Sequence, residues 1–450
     1  MLTRKLTSLL VLSAILLALL VAARTPLGVD YAGAPGTLCD CAATPIRALA
    51  HGRLHDFLVT QPVMGSGSLL VRAPFAALGL RLGHASDLDL YRLGVFPCLL
   101  AAGLLGVYLF SRMRELRRPG LVSAVVPLLV AFNPLTVKAL RFGHPEEPLA
   151  AALCVAALLA AGRRRPLLAG VLLGAAVATK QWALLAFLPV LAAAAVQGER
   201  RRIAAAALGT AALLILPMAL GAPQRFLHAN HGAGVVAGTA MPTNVWFGFG
   251  ADVPVTIAAN GYTSAPRSLP SSLGAISHPL ILIAGFLLAA LWWRYRRHDA
   301  EPEDALLVLA LIMLVRCLLD PMTNSYYHLP FVMALAAWEG LRRRGAPVLT
   351  LASTFLITAT IWLAGGNVSL VDLNRFYLVW ALPFAGLLGV LAFVPGVGAR
   401  RTTTSGFWGP PVAPGVTQSL ADARIGSGIV RPQASPDRHP TTSDLLSYEP

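Results

Sequence analysis

Residues 162–202 read GRRRPLLAGVLLGAAVATKQWALLAFLPVLAAAAVQGERRR, and this stretch decides the class of fold. Two basic clusters, GRRRP at 162–166 and GERRR at 198–202, enclose about thirty mostly apolar residues that Lys180-Gln181 interrupts. Basic clusters between apolar runs are typical of the cytoplasmic loops of multi-span membrane proteins. If both clusters are cytoplasmic, the chain crosses the membrane twice between them, and Lys180 lies where two short helices meet on the outer side.

The composition of the whole chain supports the membrane class. Of its 450 residues, 56% are hydrophobic and 13% are charged, and its mean hydropathy is +0.66. Soluble domains carry about 25% charged residues, so a soluble enzyme is excluded. The net charge of +15 arises largely from basic clusters between apolar runs, which removes the main reason to predict nucleic-acid binding.

The alternation of basic clusters and apolar runs predicts an all-α protein with about twelve transmembrane helices and both termini in the cytoplasm. Cytoplasmic loops are predicted at 111–120, 162–166, 198–202, 294–298, 342–344 and 400–401. The helices are predicted at 6–23, 92–110, 121–140, 149–161, two short ones within 166–197, 203–220, 279–293, 305–320, 329–341, 348–364 and 377–396. This transmembrane domain would cover residues 1–398, and a Pro-, Ser- and Thr-rich disordered tail would follow at 399–450.

Two long loops are predicted on the outer side. Residues 24–91 include an apolar interfacial helix at 69–82 that carries Arg72 and Arg81. Residues 221–278 form the second loop. A single helix across 166–197 would instead bury Lys180 near the middle of the membrane at about 2.5–3.5 kcal/mol or more, so two short helices are favoured.

Charged and aromatic residues gather on this outer side. Lys180 is a candidate for phosphate binding, and the carboxylates in reach are Asp30, Asp40, Asp56, Glu146, Glu147 and Asp320. Structural alternatives stay open for two of the groups. Arg316 and Asp320 are spaced to pair on one helix, and Glu146 could stabilise the start of the helix that follows it. No metal-ligand spacing or nucleotide-binding motif stands out, so no cofactor is predicted and a divalent metal is left open.

The order of these features resembles that of a known class of membrane enzymes. A first helix is followed by an outer loop with DCAATPIRALAHGRL from Asp40, the turn GHPEEP at 143–148 precedes a helix, and RRRPLLAGVLLGAAVATKQWALLAFLPVL follows at 163–191. The last stretch is similar to one common in glycosyltransferases of the GT-C class. The chain most resembles glycosyltransferase family 87, the polyprenyl-phosphate-mannose-dependent mannosyltransferases of actinobacteria.

The resemblance implies an inverting hexosyltransferase of the plasma membrane. The enzyme would move a sugar, expected to be mannose, from a polyprenyl-phosphate donor to a lipid or glycan acceptor on the outer face. It implies a catalytic base in the first outer loop, matched here to Asp40 with Asp30 as the second candidate. Lys180 and Arg141 would stabilise the departing phosphate. The other candidates for substrate binding are Gln181, His144, Glu146, Glu147, Tyr327 and His328.

A secondary transporter or a flippase for lipid-linked sugars is the alternative function. Many carriers also have about twelve helices with interruptions near charged residues. The long outer loops at 24–91 and 221–278, and the lack of two similar halves, favour the enzyme.

Overall fold

The computed structural model describes residues 4–32, 41–60, 65–227, 238–252, 256–257, 263–264, 267–296, 300–364 and 368–394. All structural statements below refer to these residues. They belong to one compact unit that ends at Arg400. The predicted tail at 399–450 lies outside the described residues.

The described chain is almost entirely helical. The first half contains α1 (Arg4–Arg24), α2 (Ala43–Ala50), α3 (Leu54–Val59), α4 (Ser66–Arg81), α5 (Asp87–Glu115), α6 (Gly120–Ala131), α7 (Pro134–Phe142), α8 (Glu146–Gly162), α9 (Pro166–Thr179), α10 (Phe187–Ala192) and α11 (Gln197–Gly221). The second half contains α12 (Ser271–Arg296), α13 (Ala305–Leu319), α14 (Leu329–Arg342), α15 (Val348–Leu363) and α16 (Leu370–Phe393).

Six segments of the described chain are long and apolar enough to cross a membrane, and this confirms the helical membrane class. They are Lys5–Arg24, Asp87–Glu115, Gly120–Phe142, Gln197–Gly221, Ser271–Arg296 and Leu370–Phe393. Each of the other segments predicted to cross also contains a helix, but these helices are shorter. The total of twelve transmembrane helices therefore stays a prediction.

The short helices α8, α13 and α14 form the centre of the bundle. Nearly every side chain of α13 and α14 is buried, whereas few of those of α1 and α11 are. A helix that is apolar all round and enclosed by other helices does not have to be as long as the bilayer is thick, because its neighbours provide the lipid-facing surface. The outer ring of longer helices thus positions the central ones.

The prediction of one continuous helix at 121–140 is wrong. It breaks after Ala131, and α7 starts anew at Pro134. Asn133 caps α7, since its Oδ1 accepts hydrogen bonds from the backbone N–H of Leu135 at 2.8 Å and of Thr136 at 3.1 Å. Pro134 has no N–H and is well suited to the first helical position. Gly143, with a φ of +101°, then ends α7.

The predicted interruption at Lys180 is confirmed. α9 ends at Thr179, and Lys180 is extended, with φ −146° and ψ 130°. A 3₁₀ helix, Gln181–Ala186, and then α10 follow. Gly170 of α9 lies against α11, because a Cβ there would approach the carbonyl oxygen of Ile203 within 2.5 Å. Such close packing on small residues is common between membrane helices.

The helix predicted at 69–82 exists as α4, but its Arg72 does not face outward. α4 packs against α2, α5 and α9, and the Arg72 side chain is completely buried. Gly94 of α5 makes room for it, since a Cβ at Gly94 would lie 2.9 Å from Arg72 Nε. Arg81, the last residue of α4, is exposed.

The two ends of the bundle differ in charge. At one end the basic loops meet: Arg118 donates to the carbonyl of Leu341, and Arg342 Nε lies 2.8 Å from Asp304 Oδ1. We call this the basic end. The opposite end of α8 carries Glu146 and Glu147, and Lys180 and Asp30 lie beside them. This arrangement agrees with the alternation from which the topology was predicted.

Part of the second long loop, the described residues 238–252 and 267–270, covers the end of the bundle opposite the basic end. Three short strands, Thr239–Ala240 (β1), Ala251–Asp252 (β2) and Arg267–Ser268 (β5), form an antiparallel sheet in the order β1-β5-β2. A second antiparallel pair joins Thr256–Ile257 (β3) to Thr263–Ser264 (β4). Trp246 anchors the segment, because its indole N–H donates to the carbonyl of Leu319 at 2.6 Å.

Candidate active site

The chain that follows α1 is fixed against the turn between α7 and α8. The backbone N–H groups of Val29 and Asp30 donate to the carbonyls of Arg141 at 3.0 Å and Phe142 at 2.9 Å. Gly28 touches Gly143, and any Cβ at Gly28 would overlap the Gly143 backbone. Two glycines in contact therefore let the segment approach closely enough to form both hydrogen bonds.

This contact places Asp30 beside His144. Asp30 Oδ2 lies 3.3 Å from His144 Nε2, and His144 Nδ1 lies 2.9 Å from Glu146 Oε1. The Asp30 side chain is 45% exposed, whereas those of His144 and Glu146 are 6% and 0% exposed. His144 also stacks on Tyr326, with ring centroids 5.2 Å apart. The result is a carboxylate that solvent reaches and that a buried, doubly hydrogen-bonded imidazole holds in place.

The two carboxylates also determine the charge of His144. Burial opposes the positive charge, but hydrogen bonds to Asp30 and Glu146 outweigh it and raise the pKa of His144 from 6.5 to about 9. At neutral pH the imidazole is therefore protonated, and both ring nitrogens donate. A histidine in this state orients an acid rather than accepting a proton from substrate.

This pKa predicts how stability depends on pH. Because the folded pKa of about 9 exceeds the unfolded value, protonated His144 stabilises the fold fully below about pH 6.5, and the stabilisation is lost as the pH rises toward 9. Thermal unfolding of the wild type and of His144→Gln should therefore differ most near pH 6 and converge above about pH 9. An equal difference at both pH values would contradict the assignment.

Lys180 pairs with the two glutamates at the start of α8. Its Nζ lies 3.3 Å from Glu146 Oε1 and 3.4 Å from Glu147 Oε1, and its side chain is 10% exposed. The extended backbone at the end of α9 aims the side chain toward the α8 N-terminus, where two carboxylates in the first turn are also favoured by the helix dipole. Trp182 Nε1–H donates to Glu147 Oε2 at 3.2 Å.

Two arginines complete the group. Arg72 Nη1 lies 3.9 Å from Glu146 Oε2. Arg316 Nη2 lies 3.6 Å from Asp320 Oδ2, so the pairing that their spacing allowed does occur. The Arg316 guanidinium also lies 4.7 Å from the centre of the Tyr327 ring. We call the whole set the charged cluster: Asp30, Arg72, His144, Glu146, Glu147, Lys180, Arg316 and Asp320.

The remaining candidates from the sequence are distributed around the charged cluster. Arg141 and Gln181 are exposed. Tyr327 is half-buried under Arg316. His328 is buried in a pair of its own, with Nε2 2.9 Å from the Tyr377 hydroxyl. Asp40, the first candidate for the base, lies outside the described residues.

Arg72 is the residue that sequence reasoning missed. The apolar composition of its helix predicts a position at the membrane interface, although an arginine within an apolar helix is itself a signal for a functional or paired position. The charged cluster holds four acidic and four basic side chains, so their formal charges balance when all of them are ionised. Among the described residues, no group of three or more His, Cys, Asp or Glu side chains is arranged to hold a metal ion.

Comparison with known proteins identifies a family. The sequence pattern of glycosyltransferase family 87 matches residues 67–321, which is more than half of the chain. Two solved structures are similar: the oligosaccharyltransferase AglB of Archaeoglobus fulgidus with an inhibitory peptide and a dolichol-phosphate, and the oligosaccharyltransferase of the same organism tethered to an acceptor peptide. Both are 14% identical over 84% of this chain, with TM-scores of 0.37 and 0.38. The match spans 55% of each of those chains. No curated protein matches the sequence.

Proposed function

The chain belongs to glycosyltransferase family 87, and from this membership we propose that it moves a sugar from a polyprenyl-phosphate donor to a lipid or glycan acceptor with inversion at the anomeric carbon. The resemblance described above favours mannose as the sugar and the outer face of the plasma membrane as the location. The observation that carries the proposal is the half-exposed Asp30, held by His144 and Glu146 at one end of the helical bundle.

Asp30 is the group best suited to act as the base. Its carboxylate is accessible, as an acceptor hydroxyl requires, and its contact with His144 fixes its orientation. Glu146 and Glu147 are fully buried and already engaged with Lys180, so a hydroxyl group of the acceptor cannot reach them as readily. Among the described residues Asp30 is therefore the candidate base, and Asp40 stays the alternative that the resemblance implies.

The proposed reaction is a single displacement. The acceptor oxygen forms a bond to C1 of the sugar while its proton passes to the Asp30 carboxylate. The bond from C1 to the phosphate oxygen breaks, and the polyprenyl phosphate leaves with the electron pair. Positive charge near the leaving phosphate lowers the barrier. Lys180 of the charged cluster and exposed Arg141, whose backbone adjoins Asp30, are the candidates for this role.

The outer location is supported by two independent features. The basic loops lie at the end of the bundle away from Asp30, and loops rich in Arg are retained in the cytoplasm. Cys41, eleven residues after Asp30, is disulfide-bonded, and disulfides form mainly outside the cytosol.

Cysteine labelling tests the orientation. The native Cys98, Cys154 and Cys317 are buried and Cys41 is disulfide-bonded, so an added surface cysteine is the reactive one among the described residues. We expect Ala251→Cys to react with an impermeant thiol reagent on intact cells, and Arg164→Cys to react only after permeabilisation. The opposite pattern would place Asp30 on the cytoplasmic side.

Transfer itself is tested in isolated membranes with a radiolabelled polyprenyl-phosphate sugar. We expect label in a lipid or glycan product only when the protein is present. A secondary transporter or flippase would instead move the label across the membrane without forming a product. Comparing labelled mannose, glucose and arabinose donors in the same membranes would identify the sugar.

A further inference from the structure

A groove lies near the basic end of the bundle, away from the charged cluster. It is bounded by α5, α8 and α9 and has a volume of about 340 Å³. Its walls are leucine and alanine side chains, among them Leu104, Ala152, Leu153, Ala156, Leu168 and Leu172. Leu104 and Leu168 are partly exposed on the outside of the bundle. The groove therefore opens toward the apolar surroundings of the helices rather than into the protein.

The mouth of the groove is basic. Arg163 and Arg165, from the turn between α8 and α9, line it, and Arg164 between them does not. The backbone of the turn explains why Arg163 and Arg165 line the groove and Arg164 does not. Arg164 has a φ of +56°, and the N–H groups of Arg163 and Arg165 both donate to the carbonyl of Ala160. The Arg163 guanidinium lies 4.8 Å from the centre of the Tyr108 ring. No described residue that lines the groove is acidic.

The length of the groove matches one half of a bilayer. Along α8 it extends from Ala152 to Arg163, which is about 16 Å at ~1.5 Å per residue. The hydrocarbon core of a bilayer is about 30 Å thick, so one leaflet accounts for about 15 Å. A single acyl chain anchored at the arginines would thus lie along the groove for most of its length.

We propose that this groove binds an anionic diacyl phospholipid, with the headgroup phosphate between Arg163 and Arg165 and one acyl chain along the apolar walls. Basic pockets between membrane helices on the cytoplasmic side are suited to anionic lipid headgroups. The site lies at the end of α8 opposite Glu146, so its occupant is separate from the sugar donor and does not depend on the proposed reaction. Bound lipid would fill the space between α5 and α9 and hold the α8–α9 turn in place.

The test is lipid binding to the purified full-length protein, measured by native mass spectrometry during titration with phosphatidylglycerol. The double variant Arg163→Ala/Arg165→Ala should bind about tenfold more weakly or worse, because two charges near the phosphate are lost. Arg164→Ala is the matched control, since it removes the same charge from the same turn, and its affinity should equal that of the wild type. Phosphatidylcholine and glycerol phosphate should each bind much more weakly than phosphatidylglycerol.

Several results would overturn the proposal. Equal weakening by Arg164→Ala would indicate a diffuse charge effect instead of a site. Equal binding of phosphatidylcholine would mean that the arginines do not select the headgroup. If polyprenyl phosphate displaced phosphatidylglycerol at lower concentration, the groove would belong to the donor. None of these measurements requires turnover, so failure here is distinguishable from failure of the proposed function.

Discussion

Replacing Asp30 by Asn is expected to lower the rate of sugar transfer by at least ~10² while donor binding stays nearly unchanged. The asparagine keeps the shape of the side chain and can still accept the hydrogen bond from His144 Nε2, which lies 3.3 Å from Asp30 Oδ2. It cannot take a proton from the acceptor. Steady-state transfer with a labelled donor, together with donor affinity measured by titration, separates the two effects.

Asp40→Asn is the matched control, because it makes the same change in the same loop. An inactive Asp40 variant beside an active Asp30 variant would move the base ten residues along the chain, as the family resemblance first indicated. Full activity of both variants would exclude both candidate acids of the first loop. Glu146, Glu147 or the transporter alternative would then have to be considered.

Lys180→Ala is expected to abolish transfer and also to destabilise the protein. The ammonium lies between Glu146 and Glu147, both fully buried, and removing one partner of a buried ion pair costs about 3–5 kcal/mol. A fall in the thermal unfolding midpoint should therefore accompany the loss of activity. Lys180→Arg should keep part of both properties, since it retains the charge but not the compact geometry of the ammonium.

Lys138→Ala is the control for general loss of a lysine at this end of the bundle. Its ammonium lies 4.7 Å from the centre of the Phe142 ring and is partly exposed, so both stability and transfer should change little.

To isolate a role in phosphate binding, Lys180→Ala can be combined with Glu147→Gln, which removes one uncompensated charge. If the double variant regains stability but not donor affinity, Lys180 contacts the donor. Recovery of both would limit Lys180 to holding the glutamates.

The alternation of basic clusters and apolar runs predicted most helices, because each segment that crosses the membrane must itself be apolar, wherever the other segments lie. Lys180 is an example, since only its position between two basic clusters was needed to place it at a break. The sequence also signals the break at Asn133, because an Asn-Pro pair is typical of a capped helix start. The long apolar run around it nevertheless suggested one continuous helix. Local signals and overall hydropathy conflicted there, and the local signal prevailed.

The candidate site was less predictable, since it depends on contacts between distant parts of the chain. Asp30 and His144 are separated by 114 residues, and the resemblance placed Asp40 ahead of Asp30 as the candidate base. Arg72 illustrates the same point. Its helix looks interfacial from composition alone, and only the packing of α4 against α5 reveals that the side chain is enclosed next to Glu146.

The contact between Gly28 and Gly143 has a consequence for how related proteins can diverge. It sets the position of Asp30 within a few residues of α1, before the chain continues into the rest of its first loop. Insertions or deletions between Tyr31 and α2 would therefore leave the candidate base in place. We expect this short stretch of sequence to tolerate changes of length, so that different acceptors could be accommodated without rebuilding the candidate active site.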